Sequence, residues 1–190
     1  GCVIGGITVT GLNPDSQQGD KVILDILKRC GGKFKPVEGG LHFDRSLLKA
    51  TEIDLADCPD LGPILFTLGC FCSGETVIRN AGRLRLKESD RIEAMQTELR
   101  KMGARIEVDG DTVHIQGVAL HAPNAPLSGH NDHRIVMALA VAAIASGLPA
   151  LLCGAEAVDK SWPAFWSVLR GLGAKVELNT DKQEEFDIKA

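Results

Sequence analysis

Leu99-Arg100-Lys101-Met102-Gly103 closes a segment in which Ile92, Met95, Leu99 and Met102 recur at helical spacing, and its signature stands twice more in the chain. Leu27-Lys28-Arg29-Cys30-Gly31 lies before it and Leu169-Arg170-Gly171-Leu172-Gly173 after it, so Gly31, Gly103 and Gly173 mark a nearly even period. A glycine at that point supplies the left-handed backbone that stops a helix. Each copy runs into a short strand-like stretch, 33–37, 105–108 and 175–178. A turn and a second strand follow, clearest where Asp109-Gly110-Asp111 leads into 112–116. The tail beyond Leu178 reads as a final strand or a frayed end.

A second helix type alternates with the first. Segments 61–72 and 135–145 are almost wholly apolar, which predicts burial on every side. Each ends at Ser-Gly (Ser73-Gly74, Ser146-Gly147) and leads into a strand, 75–79 and 148–153. The repeating unit is therefore buried helix, strand, amphipathic helix, strand, strand. The opening Gly5-Gly6-Ile7-Thr8-Val9-Thr10-Gly11 reads as the strand that follows such a helix, with no apolar helix ahead of it. With no initiator Met, the expectation is a piece of a longer protein, cut inside its first unit. A cut there predicts exposed apolar surface and unpaired backbone groups. Dimerisation, exchange of elements or infilling by the N-terminal tail would follow.

The 190 residues hold one domain, or two small ones, and 44% hydrophobic with 24% charged residues suffices for a core. A net charge of −4 argues against a nucleic-acid binder. Yet Arg79, Arg83, Arg85, Lys87 and Arg91 crowd one short segment, which suits small anionic ligands. The apolar run 135–155 is broken by Ser146-Gly147 and Pro149, so it predicts a buried helix and a strand rather than a membrane span. Cys2, Cys30, Cys58, Cys70, Cys72 and Cys153 form no C-x-x-C pair and read as reduced core thiols of a cytoplasmic protein.

In Arg85-Leu86-Lys87-Glu88-Ser89-Asp90-Arg91, Ser89 or Asp90 is the expected N-cap of a helix. Helix N-termini attract anions through free N–H groups and a positive macrodipole. Lys87 and Arg91 add charge there; the alternative is a solvated charged face with i,i+4 pairs. Asp60, between Pro59 and an apolar helix, has the place of an N-cap. Glu88 has the i,i+3 spacing of an Arg91 partner. His130 and His133 invite a metal reading, but no Cys or carboxylate beyond Asp132 stands at zinc spacing, so the expected set holds no metal ligand. Asp132 and His133 are expected to orient Arg134 and line a cleft.

Cys58-Pro59-Asp60, Lys87-Glu88-Ser89-Asp90-Arg91, Asn131-Asp132-His133-Arg134 and Asp159-Lys160-Ser161-Trp162-Pro163 follow Gln18-Gly19-Asp20 in a fixed order. The ordered set resembles the 5-enolpyruvylshikimate-3-phosphate (EPSP) synthase family over essentially the whole chain. The resemblance implies an α/β (α+β) fold of repeated βαβαββ-like units around buried parallel helices, an inside-out α/β barrel that is incomplete here. Residues 1–190 would form the C-terminal domain, with the N-terminal domain absent. The implied reaction moves the enolpyruvyl group of phosphoenolpyruvate to the 5-hydroxyl of shikimate 3-phosphate and releases phosphate, in a cleft between the domains, with no cofactor.

By the same resemblance Asp60 contacts the sugar hydroxyl as candidate base. Lys87 serves the sugar and the proton transfers, and Glu88 the proton transfer at the phosphoenolpyruvate carbon. Arg91, Arg134 and Lys160 bind phosphoenolpyruvate from three helix starts, with Asp132 and His133 beside them. Arg83 stands where many members carry an Asn that contacts the sugar, and it enters the substrate-binding set as a departure from that pattern. The implied partners are the two substrates and the missing N-terminal domain, with no nucleic acid and no membrane. An enolpyruvyl transferase acting on a UDP-amino sugar fits the motifs less well, and a non-catalytic anion-binding module stays open. Alone, the chain is expected to bind ligands weakly and turn over nothing.

Overall fold

The computed structural model describes residues 1–13, 15–179 and 185–189. All three glycine stops are built alike. Gly31, Gly103 and Gly173 have φ of 81°, 86° and 95°. In each, the Leu that opens the motif accepts the N–H of the residue after the glycine: Gly32 to Leu27 at 2.7 Å, Ala104 to Leu99 at 3.1 Å and Ala174 to Leu169 at 3.0 Å. That bond uses up an orphan carbonyl of the last helical turn and directs the chain into the next strand.

The first unit comprises β1 (Ile7–Thr10), α1 (Ile23–Arg29), β2 (Lys33–Val37) and β3 (Gly40–Asp44), with the antiparallel sheet order β1-β3-β2. The second adds β4 (Glu52–Asp54), α2 (Gly62–Phe71), β5 (Glu75–Arg79), α3 (Arg91–Lys101), β6 (Arg105–Asp109) and β7 (Thr112–Gln116), in the order β4-β5-β7-β6. The third adds β8 (Leu127–Ser128), α4 (His133–Ser146), β9 (Ala150–Cys153), α5 (Phe165–Gly171), β10 (Lys175–Asn179) and β11 (Glu185–Lys189), in the order β10-β11-β9-β8. The expected alternation is present throughout, and residues 180–184 of the tail lie outside the described residues. The short β4 and β8, which pair in parallel with β5 and β9, were not foreseen. They are too brief to show an alternating pattern.

Three separate sheets surround the apolar helices, and no closed barrel forms among the described residues. Leu65 and Phe66 of α2 and Leu139 and Ala140 of α4 are fully buried, as their all-round hydrophobicity requires. Thr67 is the polar exception; its hydroxyl donates to the Ala138 carbonyl at 3.1 Å and so ties α2 to α4. On α3, Ile92, Met95 and Leu99 face the core. The strand-to-helix links contain 3₁₀ turns that periodicity does not reveal. Ala81–Leu86 follows Asn80 (φ 56°), and Ala155–Lys160 follows Gly154 (φ 71°). Both cations of interest leave this shared turn: Lys87 directly after the first, Lys160 as the last residue of the second.

The first unit has no apolar helix among its described elements. In that position lies an apolar cavity of about 260 Å³, lined among others by Ile7, Val9, Ile23, Leu68, Phe71 and Val141. Gly1 and Cys2 also line it, and Cys2 is buried. Five of the six cysteines are buried. Among the described residues no helix is long and apolar enough to cross a membrane.

Leu139→Ala should destabilise the chain by about 2–5 kcal/mol, because it removes fully buried methyl groups where α2 and α4 meet. A lowered urea midpoint with an unchanged m-value would show it.

Candidate active site

The chain entry to α3 and the chain entry to α4 are joined by one ion pair. Arg91, the first residue of α3, is 1% exposed, and Asp132, which caps α4, is 0% exposed. Arg91 Nε donates to Asp132 Oδ2 at 2.8 Å and Nη2 donates to Oδ1 at 3.2 Å, the two-pronged geometry that suits a guanidinium and a carboxylate. Asp132 also accepts the Arg134 backbone N–H at 2.9 Å and the Ser89 hydroxyl at 3.1 Å. Asp90 is the cap of α3 and accepts from the Ile92 and Glu93 N–H groups, each at 3.1 Å.

Arg91 reaches two further carboxylates, Glu88 at 2.6 Å and Asp60 at 3.1 Å. Asp60 in turn is shared. Its Oδ1 lies 3.1 Å from Lys87 Nζ, its Oδ2 accepts from Arg134 Nη2 at 3.1 Å, and its backbone carbonyl accepts from Arg134 Nη1 at 3.1 Å. Lys87, Arg91, Arg134, Asp60, Glu88 and Asp132 thus form one connected network of equal positive and negative charge. Asp60 sits in a 3₁₀ turn, Pro59–Leu61, and makes no capping bond. Its carboxylate instead contacts Lys87, Arg91 and Arg134.

Burial pushes the Asp60 carboxyl up, but the Lys87 hydrogen bond and the fields of Arg134 and Lys87 outweigh it and hold it below the ordinary carboxylate value. Burial likewise opposes ionisation of Asp132, and the Arg91 bond and the Arg134 N–H overcome it, so this carboxyl too is held low. Both are ionised at neutral pH, ready to accept rather than donate hydrogen bonds.

The remaining sequence candidates lie variously. Lys160 ends its 3₁₀ turn, and α5 begins only at Phe165, so it does not open a helix as expected. Its ammonium donates to the Asn131 carbonyl and to Asn131 Oδ1, both at 2.6 Å. His133 is the first residue of α4, and among the described residues its buried Nδ1 has no hydrogen-bond partner. Asp132 meets Arg134 through the backbone N–H, while the Arg134 guanidinium is held by Asp60 and the Asp132 carboxylate also holds that of Arg91. Arg83 donates to the Ala56 carbonyl at 3.1 Å, Arg79 pairs with Glu52, and Arg85 goes to Asp90 and the Gly110 carbonyl. The basic segment is thereby divided: only Lys87 and Arg91 join the network, and Arg91 is buried rather than part of a solvated face. Among the described residues no group of three or more His, Cys, Asp or Glu side chains could hold a metal ion.

Sequence reasoning passed over Ser89, Asn131, Glu98 and His130 as positioning groups. Glu98 carried a signal: it shares a helical stripe with Met95 and Met102, where a carboxylate needs a buried partner.

A family model described as EPSP synthase (3-phosphoshikimate 1-carboxyvinyltransferase) matches residues 2–169. The chain belongs to the EPSP synthase family. A curated 3-phosphoshikimate 1-carboxyvinyltransferase of Clostridium acetobutylicum is 44% identical over 176 residues, covering 93% of this chain and 40% of that protein. One from Methanocaldococcus jannaschii is 40% identical over 173 residues, covering 90% of this chain and 40% of that protein. A solved EPSP synthase from Acinetobacter baumannii superposes with a TM-score of 0.74 at 25% identity, covering 90% of this chain and 42% of its own. The chain therefore spans about 40% of the length of the curated EPSP synthase relatives it matches.

In this EPSP synthase family chain, Asp132→Asn should cost about 3–5 kcal/mol at pH 7, because it leaves Arg91 buried without its main counter-charge. A lowered carboxyl pKa contributes stability that is present above the unfolded value and lost as pH falls through the folded one. The gap between Asp132→Asn and the parent should therefore narrow as pH drops below about 4. Urea midpoints measured from pH 7 down to pH 3 would show both effects.

Proposed function

We propose that this chain is the C-terminal domain of an enzyme that transfers the enolpyruvyl group of phosphoenolpyruvate to the 5-hydroxyl of shikimate 3-phosphate and releases phosphate. The observation that carries this reading is Asp60 shared by Lys87, Arg91 and Arg134, with the Lys160 ammonium on neutral oxygens nearby in the chain of contacts. Both substrates carry a carboxylate and a phosphate, and Lys87, Arg134 and Lys160 can exchange internal acceptors for those groups.

Addition forms a bond between the sugar oxygen and C2 of phosphoenolpyruvate, while the methylene carbon gains a proton. Elimination then breaks the bond to the phosphate oxygen and returns a proton from the new methyl group. Asp60 is an ionised acceptor for the sugar hydroxyl, but its three cations make it a weak base. Incoming anions that draw Lys87 and Arg134 to themselves would raise its basicity at the moment of use. Lys87 and Glu88 are the remaining proton carriers, while Asp132 and Ser89 fix Arg91, and His133 offers an unpaired ring nitrogen. Arg83 keeps only a peripheral place in the substrate-binding set, since its guanidinium is engaged by Ala56.

The same reading assigns the apolar cavity beside β1 to an apolar helix of the missing part, and the other wall of the cleft to the N-terminal domain. It also assigns the protein to the cytoplasm, where buried thiols stay reduced. Support comes from the family match, from the share of the relatives covered and from the five buried cysteines.

Phosphate release from phosphoenolpyruvate with shikimate 3-phosphate tests the proposal, run on the chain alone and with a family N-terminal half added. Turnover should appear only in the mixture and should fall at least about 100-fold with Lys87→Met or Asp60→Ala. Turnover with a UDP-amino sugar in place of shikimate 3-phosphate would overturn the substrate assignment. Substrate binding without turnover in a mixture shown to associate would make the chain an anion-binding module.

A further inference from the structure

Glu98 lies two turns into α3 and takes no part in the carboxylate–cation network, yet it is buried to 2% side-chain exposure. Its Oε2 accepts the Ser128 backbone N–H at 2.8 Å and the Lys101 ammonium at 2.7 Å, and its Oε1 lies 3.0 Å from His130 Nε2. With the carboxylate ionised, the His130 ring N–H is the donor. Lys101 also donates to the Pro126 carbonyl at 2.9 Å. All three bonds reach the same stretch, residues 126–130, which leads from β8 to the cap of α4.

That stretch is held in an uncommon backbone shape. His130 and Asn131 have φ of 49° and 52°, the left-handed region that is uncommon for non-glycine residues, although Asn and His enter it more readily than most. On the other side, the Gly129 N–H donates to the Cys153 carbonyl at 2.8 Å, and a side chain at Gly129 would collide with Val136. The loop is thus clamped between Glu98 and the end of β9. What it presents outward is Asn131, both of whose oxygens hold the Lys160 ammonium at 2.6 Å. Among the described residues Lys160 forms no ion pair with a carboxylate, so its charge is available to an anion. Its acceptors belong to the loop that Glu98 bonds at Ser128 and His130.

We propose that Glu98 is a positioning residue for Lys160: through Ser128 and His130 it holds Asn131 in the conformation that aims the ammonium. The importance of Lys160 to an anion rests on the function proposed above; the mechanical link does not. The neutral Glu98→Gln cannot accept from Ser128, His130 and Lys101 as the carboxylate does, so the loop is freed to leave the left-handed region. Lys160 then loses its fixed acceptors without any change to its own chemistry.

The test reads the Lys160 ammonium directly by heteronuclear NMR of the chain, with the signal assigned by its absence in Lys160→Arg. In the parent, the two hydrogen bonds should protect this ammonium from exchange. In Glu98→Gln its exchange should quicken about five- to tenfold, the size of effect that one lost hydrogen bond gives. Glu93→Gln, on the exposed side of the same helix, should leave it unchanged. Asn131→Gly keeps the backbone shape but removes one acceptor, so it should quicken exchange alone and blunt the further effect of Glu98→Gln. It also serves where Glu98→Gln unfolds the chain: an Asn131→Gly exchange rate equal to the parent's would overturn the proposal. An unchanged Lys160 signal in folded Glu98→Gln would overturn it as well, leaving Glu98 as a core residue only. Titration with phosphoenolpyruvate separates the two claims. Weaker binding in Glu98→Gln, with no added loss in Lys160→Met, supports both. A Lys160 response with no phosphoenolpyruvate binding by any form, even with a family N-terminal half added, supports the positioning role and overturns the anion site.

Discussion

The arrangement of the charged residues depends on Arg91 and Asp132 meeting out of reach of water. Removing two ions from solvent opposes folding, and such pairs give little net stability against that cost. Their effect here is geometric. The pair fixes the start of α3 against the start of α4, and these two starts are where Lys87, Glu88 and Arg134 enter the structure. Asp60 then has only one place to go, at the point where the cations of both helices converge. A hydrophobic pair in the same place would join the helices without ordering the polar side chains around them.

Much of the architecture was legible because the repeat states each element more than once. The Leu…Gly signature fixed three helix ends, and each is closed by the same backbone bond. The strands after them fell where alternation and turn residues put them, with 112–116 reproduced as β7. The 3₁₀ turns and the brief β4 and β8 escaped, since neither carries enough residues to establish a period. The placement of the motif residues was less legible than their presence. Sequence spacing could bring Lys160 near a helix start, but only tertiary contact shows it resting on Asn131. Likewise, Arg85 and Arg79 look equivalent to Lys87 in a list of charges, although their guanidinium groups are engaged elsewhere.

The network also explains how so many cations coexist in a chain of net negative charge. Lys87, Arg91 and Arg134 are each matched by a carboxylate within the cluster, so it is locally neutral without a ligand. An anion entering it has to compete with Asp60 rather than fill an empty positive hole. Competition of that kind favours ligands with two charged groups at the right separation over simple ions, because only they compensate every cation that Asp60 would release.

Two ion pairs of that cluster, Arg91 with Asp132 and Arg134 with Asp60, cross from the second unit to the third. The third unit alone would leave Arg134 without its Asp60 partner, and the second alone would leave Arg91 without Asp132. Whatever occupies the cluster therefore acts as an extra bond between the two units, and its abundance enters the equilibrium between docked and separated states. In a cell, the level of a small metabolite would set how long such a chain survives proteolysis.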